Sequence, residues 1–141
     1  MAGSHIIPGL RYHDAPAAID WLCTAFGFEH HLVVEHDGRV AHAQLRLGDD
    51  MIMLGSAGED HFAQWQGTVR ETGGKSTMSC YIIVDDVDAH HDRARAVGAE
   101  IVYEPTDQDY GGRNYACLDP EGNLWHFGSY DPWAEPPGEH E

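Results

Sequence analysis

The sequence predicts an α+β fold: two βαβββ modules forming a curved mixed sheet around a cleft, with the helices packed on the outer face. A unit of one strand, one helix and three strands can be read twice along the chain. The copies echo each other about 70 residues apart. Asp14 followed by Gly27-Phe28-Glu29 returns as Asp85 followed by Gly98-Ala99-Glu100, and Met51-Ile52-Met53-Leu54-Gly55-Ser56 returns as Leu124-Trp125-His126-Phe127-Gly128-Ser129. The chain of 141 residues is long enough for one domain with a real core and needs no second.

Residues 6–12 read as a short strand. Asp14 is placed to cap a helix, with Pro16 in its first turn. Ala18, Ile19, Leu22, Cys23 and Phe26 recur at helical spacing, and Gly27 supplies the stop. Strands follow at 29–35, 40–47 and 51–54, separated by the turn signals His36-Asp37-Gly38 and Gly48-Asp49-Asp50. Residues 57–76 lack sustained periodicity and read as a connection between modules 6–56 and 77–130, with some helix around His61 to Trp65. The order then restarts with a strand at 78–84, a helix at 87–97 stopped by Gly98, and a strand at 100–104. A loop at 105–112 leads to a strand at 113–118, the turn Asp119-Pro120-Glu121-Gly122 and a last strand at 123–128. Residues 131–141 read as a solvated tail, and residues 1–5 carry no pattern.

Twenty-four acidic residues against eight basic ones give a formal net charge of -16, and Lys75 is the single lysine. That field repels nucleic acid and anionic membrane and attracts cationic small molecules. Cys23, Cys80 and Cys117 show no paired spacing, which argues against a disulfide framework and for a reducing, cytoplasmic setting. No phosphate loop, serine elbow or basic stripe is present, so nucleotide, hydrolase and nucleic-acid functions lack support.

Paired βαβββ modules with Asp119-Pro120-Glu121-Gly122 before the last strand resemble the vicinal oxygen chelate superfamily, which includes glyoxalase I, extradiol dioxygenases, fosfomycin-resistance enzymes and bleomycin-resistance proteins. The resemblance spans about residues 6 to 130 and is carried by residues 12–22, by His42-Ala43-Gln44-Leu45-Arg46-Leu47-Gly48, and by Tyr110-Gly111-Gly112-Arg113-Asn114-Tyr115 leading into 119–125. It implies a metal position on each of four strands, and these fall on Ile7, Met53, Ser79 and His126. Only His126 is a good donor for a divalent ion; isoleucine, thioether and hydroxyl side chains do not build such a site. No resident cofactor or metal is therefore expected. If a divalent ion did bind, His42 would be the second donor. The resemblance also implies a homodimer, in which a partner subunit helps to complete the cleft.

Strand alternation reaches the same cleft independently. In the strand at 40–47, Ala41, Ala43, Leu45 and Leu47 should lie under the helix, which leaves His42, Gln44 and Arg46 facing the hollow. Met51, Met53, Ser79, Tyr81 and His126 join them by the same rule, and Tyr110 and Arg113 flank a glycine-rich lid or a plain hairpin connection. His126 is the candidate catalytic residue, readable as ligand, general base or hydrogen-bonded cavity residue, with Trp125 and Phe127 packed under the second helix. Arg46 must either fan to solvent or meet an anion. Met51 and Met53 serve as core filler or as an adaptable binding surface.

The pairs His30-His31 and His90-His91 cannot chelate one ion, because neighbours diverge on strand and helix alike, and a solvated helix face is the default for the second pair. Cys117 reads as a buried inert thiol. Trp21, Trp65, Trp125 and Trp133 read as packing residues. Three functions compete: a metal-independent binder of a cationic or aromatic small molecule, similar to bleomycin-resistance proteins; a glyoxalase- or dioxygenase-like enzyme using His126 and His42, with Arg46 or Arg113 steadying an oxyanion; and a module whose concave face serves protein assembly.

Overall fold

Asp14 opens the first helix by accepting the Ala17 amide, Pro16 sits in the first turn, and Gly27 closes the helix at φ 83 by donating to the Cys23 carbonyl. This computed structural model describes residues 3–58 and 60–134. The elements are β1 (Gly9–Tyr12), α1 (Ala15–Phe26), β2 (Glu29–His36), β3 (Arg39–Leu47), β4 (Asp50–Ser56), a 3-10 turn (His61–Gln64), β5 (Cys80–Ile83), α2 (Val87–Ala96), β6 (Glu100–Asp107), β7 (Arg113–Leu118) and β8 (Leu124–Gly128). They form two mixed four-stranded sheets of matching order, β1-β4-β3-β2 and β5-β8-β7-β6, in which β1 runs parallel to β4 and β5 to β8.

The repeat extends to hydrogen bonds. Ser56 Oγ accepts the Val40 amide at 2.9 Å, and Ser129 Oγ accepts the Arg113 amide at 3.0 Å. The second helix is capped by Asp86, which accepts the Ala89 amide, and not by Asp85. The stretch from cap to closing glycine is one residue shorter in the second copy, so the echo slips across the helix.

Element ends differ where chemistry intervenes. β1 and β5 are shorter than expected, which leaves Ile6, Ile7, Met78 and Ser79 outside strands. β6 runs on through Pro105, because it is an edge strand and its register shifts between Tyr103 and Thr106 accommodate the missing N–H. A register shift between Val34 and Glu35 also skips Ala41 in β3. Val40, Ala43 and Leu45 are therefore buried, whereas Ala41, expected under the helix, is exposed. Asp37 and Gly38, at φ 52 and 76, make the mirror-image turn that joins β2 to β3.

One core serves both modules. Val40, Ala43, Leu45, Ile52 and Leu54 from the first sheet join Tyr115, Cys117, Trp125 and Phe127 from the second, with Leu22 and Phe26 of α1 between them. Phe26 lies 5.3 Å from Trp125 and 4.7 Å from Phe127 by ring centroid. Where the sequence suggested a solvated face for His90 and His91, both are instead covered: the His90 ring lies tilted 4.1 Å from Phe127 and bonds the Tyr115 hydroxyl, and His91 is buried between the carboxylates of Asp92 and Glu104. One face of the helix packs against α1 and the second sheet, while Asp88, Asp92, Arg93 and Arg95 stay exposed. Burial, and then the charge of Arg93, push the His90 imidazole down to about 4.

Asp119 ties the modules together. Its Oδ2 accepts the Tyr12 hydroxyl at 2.6 Å and the Trp125 indole N–H at 3.1 Å, while Oδ1 accepts the amides of Glu121 and Asn123. Burial and the Asp119 charge hold the Tyr12 phenol well above its usual value, so it remains a donor. Glu121 reaches across to accept the amides of His13 and Asp14 at the entrance to α1. Trp125 and Trp21 are packing tryptophans, the latter donating to the Val97 carbonyl. Trp65 and Trp133 are not: they are 70% and 94% exposed, on a connecting turn and beyond the last strand, where no sheet covers them. Cys117 is fully buried, and burial next to Asp119 drives its thiol up to about 12.

Candidate functional site

Each sheet buries one face against the helices and leaves the other open, and registered partners on neighbouring strands share a face. On the first sheet one row runs Gly9, Met53, Gln44, Leu32. The repeat-equivalent row on the second sheet runs Tyr81, His126, Ala116, Tyr103. The positions read from strand alternation thus fall on two open faces: His42, Gln44, Arg46, Met51 and Met53 on the first, Tyr81 and His126 on the second. The faces adjoin at a cavity of about 440 Å³ between the start of β4 and β5, lined by Met51, Tyr81, Ile6, Pro8 and Ile83 among others.

On the first sheet His42 and Gln44 pin each other through a 3.0 Å contact between Gln44 Nε2 and His42 Nε2. Arg46 donates to the Gly48 carbonyl and fans to solvent. Leu32 and Val34 stay exposed on the same face, so it is soft and mostly apolar.

Aromatic residues dominate the second face. Tyr81, Tyr103 and Tyr110 are each between 40% and 46% exposed. Tyr81 donates its hydroxyl to the Tyr130 carbonyl at 2.7 Å, and burial pushes its phenol upward. Tyr110 meets Tyr130 edge-on at 5.2 Å. Gln108 Nε2 bridges the Tyr103 hydroxyl and Asn114 Oδ1, and Asn114 Nδ2 donates to the Tyr110 hydroxyl. Tyr103, Gln108 and Tyr130 carry no signal in the sequence, and Asn114 stands there only within the stretch Tyr110 to Tyr115, without a site role. The period-two rule would have found Asn114 and Tyr103, had the bulges in β6 been readable.

Two expected cleft residues lie elsewhere. Arg113 turns to α2, pairing with Asp88 at 3.1 Å and with Asp107 at 3.3 Å, so its charge is already engaged. Ser79 lines a different cavity of about 340 Å³, together with Arg11, Trp65 and Lys75. His126 is half-buried and makes no hydrogen bond or ion pair with any described residue, which leaves its imidazole available to a visitor.

The chemistry of the inherited metal positions is decided by their side chains. Ile7 lies outside β1, Met53 and His126 occupy corresponding rows of separate sheets, and Ser79 precedes β5. One imidazole, one thioether, one hydroxyl and one hydrocarbon do not fit a divalent ion. Among the described residues no group of three or more His, Cys, Asp or Glu is arranged to hold one.

Comparison with known proteins agrees with the fold. The sequence model described as Glyoxalase/Bleomycin resistance protein/Dioxygenase superfamily matches residues 4–127. An uncharacterized protein of Mycobacterium bovis is 35% identical over 126 residues, covering 86% of this chain and 80% of that protein. Among solved structures, TioX from Micromonospora sp. ML1 is 36% identical with a TM-score of 0.73, covering 89% of this chain and 98% of TioX. The Listeria monocytogenes fosfomycin resistance protein FosX, solved as a mutant with Mn(II) and 1S,2S-dihydroxypropylphosphonic acid, is 15% identical with a TM-score of 0.70, covering 94% of each chain, and shares the fold alone.

Proposed function

The chain belongs to the glyoxalase/bleomycin resistance protein/dioxygenase superfamily, and from that premise we propose that it is a metal-independent small-molecule binding protein, of the drug-sequestering kind, for a cationic or aromatic ligand. One observation carries this reading: the open face of the second sheet surrounds an unengaged His126 with exposed tyrosines, while the family's metal positions hold a single good donor. The charge of -16 favours a cation, and tyrosine faces attract both cations and flat rings.

The cleft is proposed to be completed in a homodimer, where the soft first face of one copy stands opposite the tyrosine face of another across the space left for the ligand. Support comes from the way the expected cleft is divided between two open faces that adjoin at a cavity. Three free cysteines suit a reducing cytoplasm, and no helix among the described residues is long and apolar enough to cross a membrane.

A second reading is favoured by the same free imidazole: a glyoxalase- or dioxygenase-like enzyme in which His126, with His42, serves in acid–base chemistry. Two measurements separate these readings. The thermal midpoint of chelator-treated protein should stay unchanged when nickel, zinc, manganese or ferrous iron is added; a rise of several degrees with one ion would sink the metal-independent reading. Replacing His126 with alanine should alter ligand affinity while the fold persists, whereas loss of a catalytic turnover would favour the enzyme. Light scattering should give twice the chain mass.

A further inference from the structure

We infer that the open face of the second sheet is a stacking platform for a flat aromatic ligand, and that Gly128, Gln108 and Asn114 are positioning residues that hold its tyrosine rings down. The inference rests on the small-molecule-binding reading and assigns that ligand a shape.

The Tyr81 ring lies along the sheet instead of standing off it. A Cβ built at Gly128 would come within 2.6 Å of the Tyr81 hydroxyl oxygen and 2.9 Å of its Cε1, so the phenol passes directly over this glycine on its way to the Tyr130 carbonyl. At the other end of the row, Ala116 points to the open face beside its partner Tyr103, yet is only 3% exposed. Its cover is consistent with a low-lying neighbour. Side chains ordinarily stand roughly perpendicular to a sheet; here the absence of a Cβ at Gly128 and the small Ala116 permit the opposite.

The rings are also fixed. The Tyr103 and Tyr110 hydroxyls are held by the Gln108–Asn114 relay, and the Tyr81 hydroxyl by the Tyr130 carbonyl. Water serves exposed hydroxyls nearly as well, so these bonds add little stability and act chiefly to set the orientation of the rings. Fixing the rings in advance lowers the ordering cost of a ligand that stacks on them. With an inter-strand spacing of about 4.8 Å, Tyr81 and Tyr103 sit roughly 14 Å apart across the row, with His126 between them to meet a polar edge of the ligand. A bulky, non-planar molecule gains little from such a surface.

The test uses the flat three-ring cation proflavine and the non-aromatic cation tetrabutylammonium with the full-length protein. Saturable change in proflavine fluorescence is expected, with no displacement by tetrabutylammonium. Gln108→Ala and Asn114→Ala should each weaken proflavine binding about five- to tenfold without changing oligomeric mass. Tyr103→Phe should weaken binding too, and adding it to Gln108→Ala should change nothing further, since Gln108→Ala already removes the hydrogen bond that Tyr103→Phe severs. Gly128→Ala should abolish binding; if it fails to fold, the Gln108 and Tyr103 cycle decides alone. If proflavine binds but these variants leave its affinity unchanged, or tetrabutylammonium competes, the platform is wrong while small-molecule binding survives. If neither probe binds the unmodified protein, both readings fall. If the variants dissociate the oligomer, the tyrosines are a subunit contact and the platform is overturned.

Discussion

The two sheets of this protein share strand order and register logic yet differ on both faces. Toward the helices, the first sheet presents Val40, Ala43, Leu45, Ile52 and Leu54, and the second presents Tyr115, Cys117, Trp125 and Phe127 at repeat-related positions. Toward the open side, Leu32, Gln44 and Met53 stand where the second sheet has Tyr103, Ala116 and His126. One copy has kept an aliphatic character and the other has become aromatic. The aromatic copy also draws Phe26 and Phe28 of the first module onto Trp125, so the larger rings carry the junction between modules. A repeated unit can thus place aromatic packing weight in one half while the other stays aliphatic.

That asymmetry makes truncation weigh unequally on equivalent sites. Phe127→Ala is expected to cost about 4 kcal/mol and Leu54→Ala about 3 kcal/mol, read by chemical denaturation. Equal losses would mean that the aromatic half carries no extra packing weight. Asp119→Asn, with no counterpart in the first module, should cost about 2–3 kcal/mol by weakening a buried acceptor that serves Tyr12, Trp125 and two amides.

Acid should strike the aromatic half. His90 is neutral in the fold down to about 4, whereas an unfolded histidine takes its proton near 6.5. The unfolded chain therefore binds the extra proton first, and stability present above pH 6.5 declines as pH falls from 6.5 toward 4. His90→Phe should flatten that part of the midpoint-versus-pH curve relative to the unmodified protein. An unchanged slope would remove His90 from the account.

Smallest of all should be the changes on the open faces. Tyr81→Phe and Met53→Leu are expected to shift stability by less than about 1 kcal/mol each, because neither fills the shared core. A larger effect for Tyr81→Phe would assign its hydroxyl to the fold.

Much of this plan was legible in residues 14–27 and 119–128, where cap, stop and turn chemistry are local and the period-two pattern is clean. Of the candidate site only the face was legible: alternation put Met53, Tyr81 and His126 on the open sides of their sheets. Ala41 was misplaced, and Tyr103 missed, because each lies beside a register shift that breaks the count of two. Arg113 could not be placed, since its partner Asp88 comes from a helix that only the tertiary fold brings near. His90 and His91 sit on a short helix whose pattern resembles a solvated one; their burial depends on Phe26 and Tyr115, both distant in sequence.

On β8 the neighbours Trp125, His126 and Phe127 alternate between the shared core and the open face. Side chains that keep the chain folded and side chains that a visiting molecule would meet are therefore interleaved but not the same residues. A lineage carrying this sheet can explore new surface chemistry at Tyr81, Tyr103 or His126 by single substitutions while its folding margin stays nearly constant. The conflict between innovation and stability that burdens many binding sites is, in this architecture, largely relieved by the pleat.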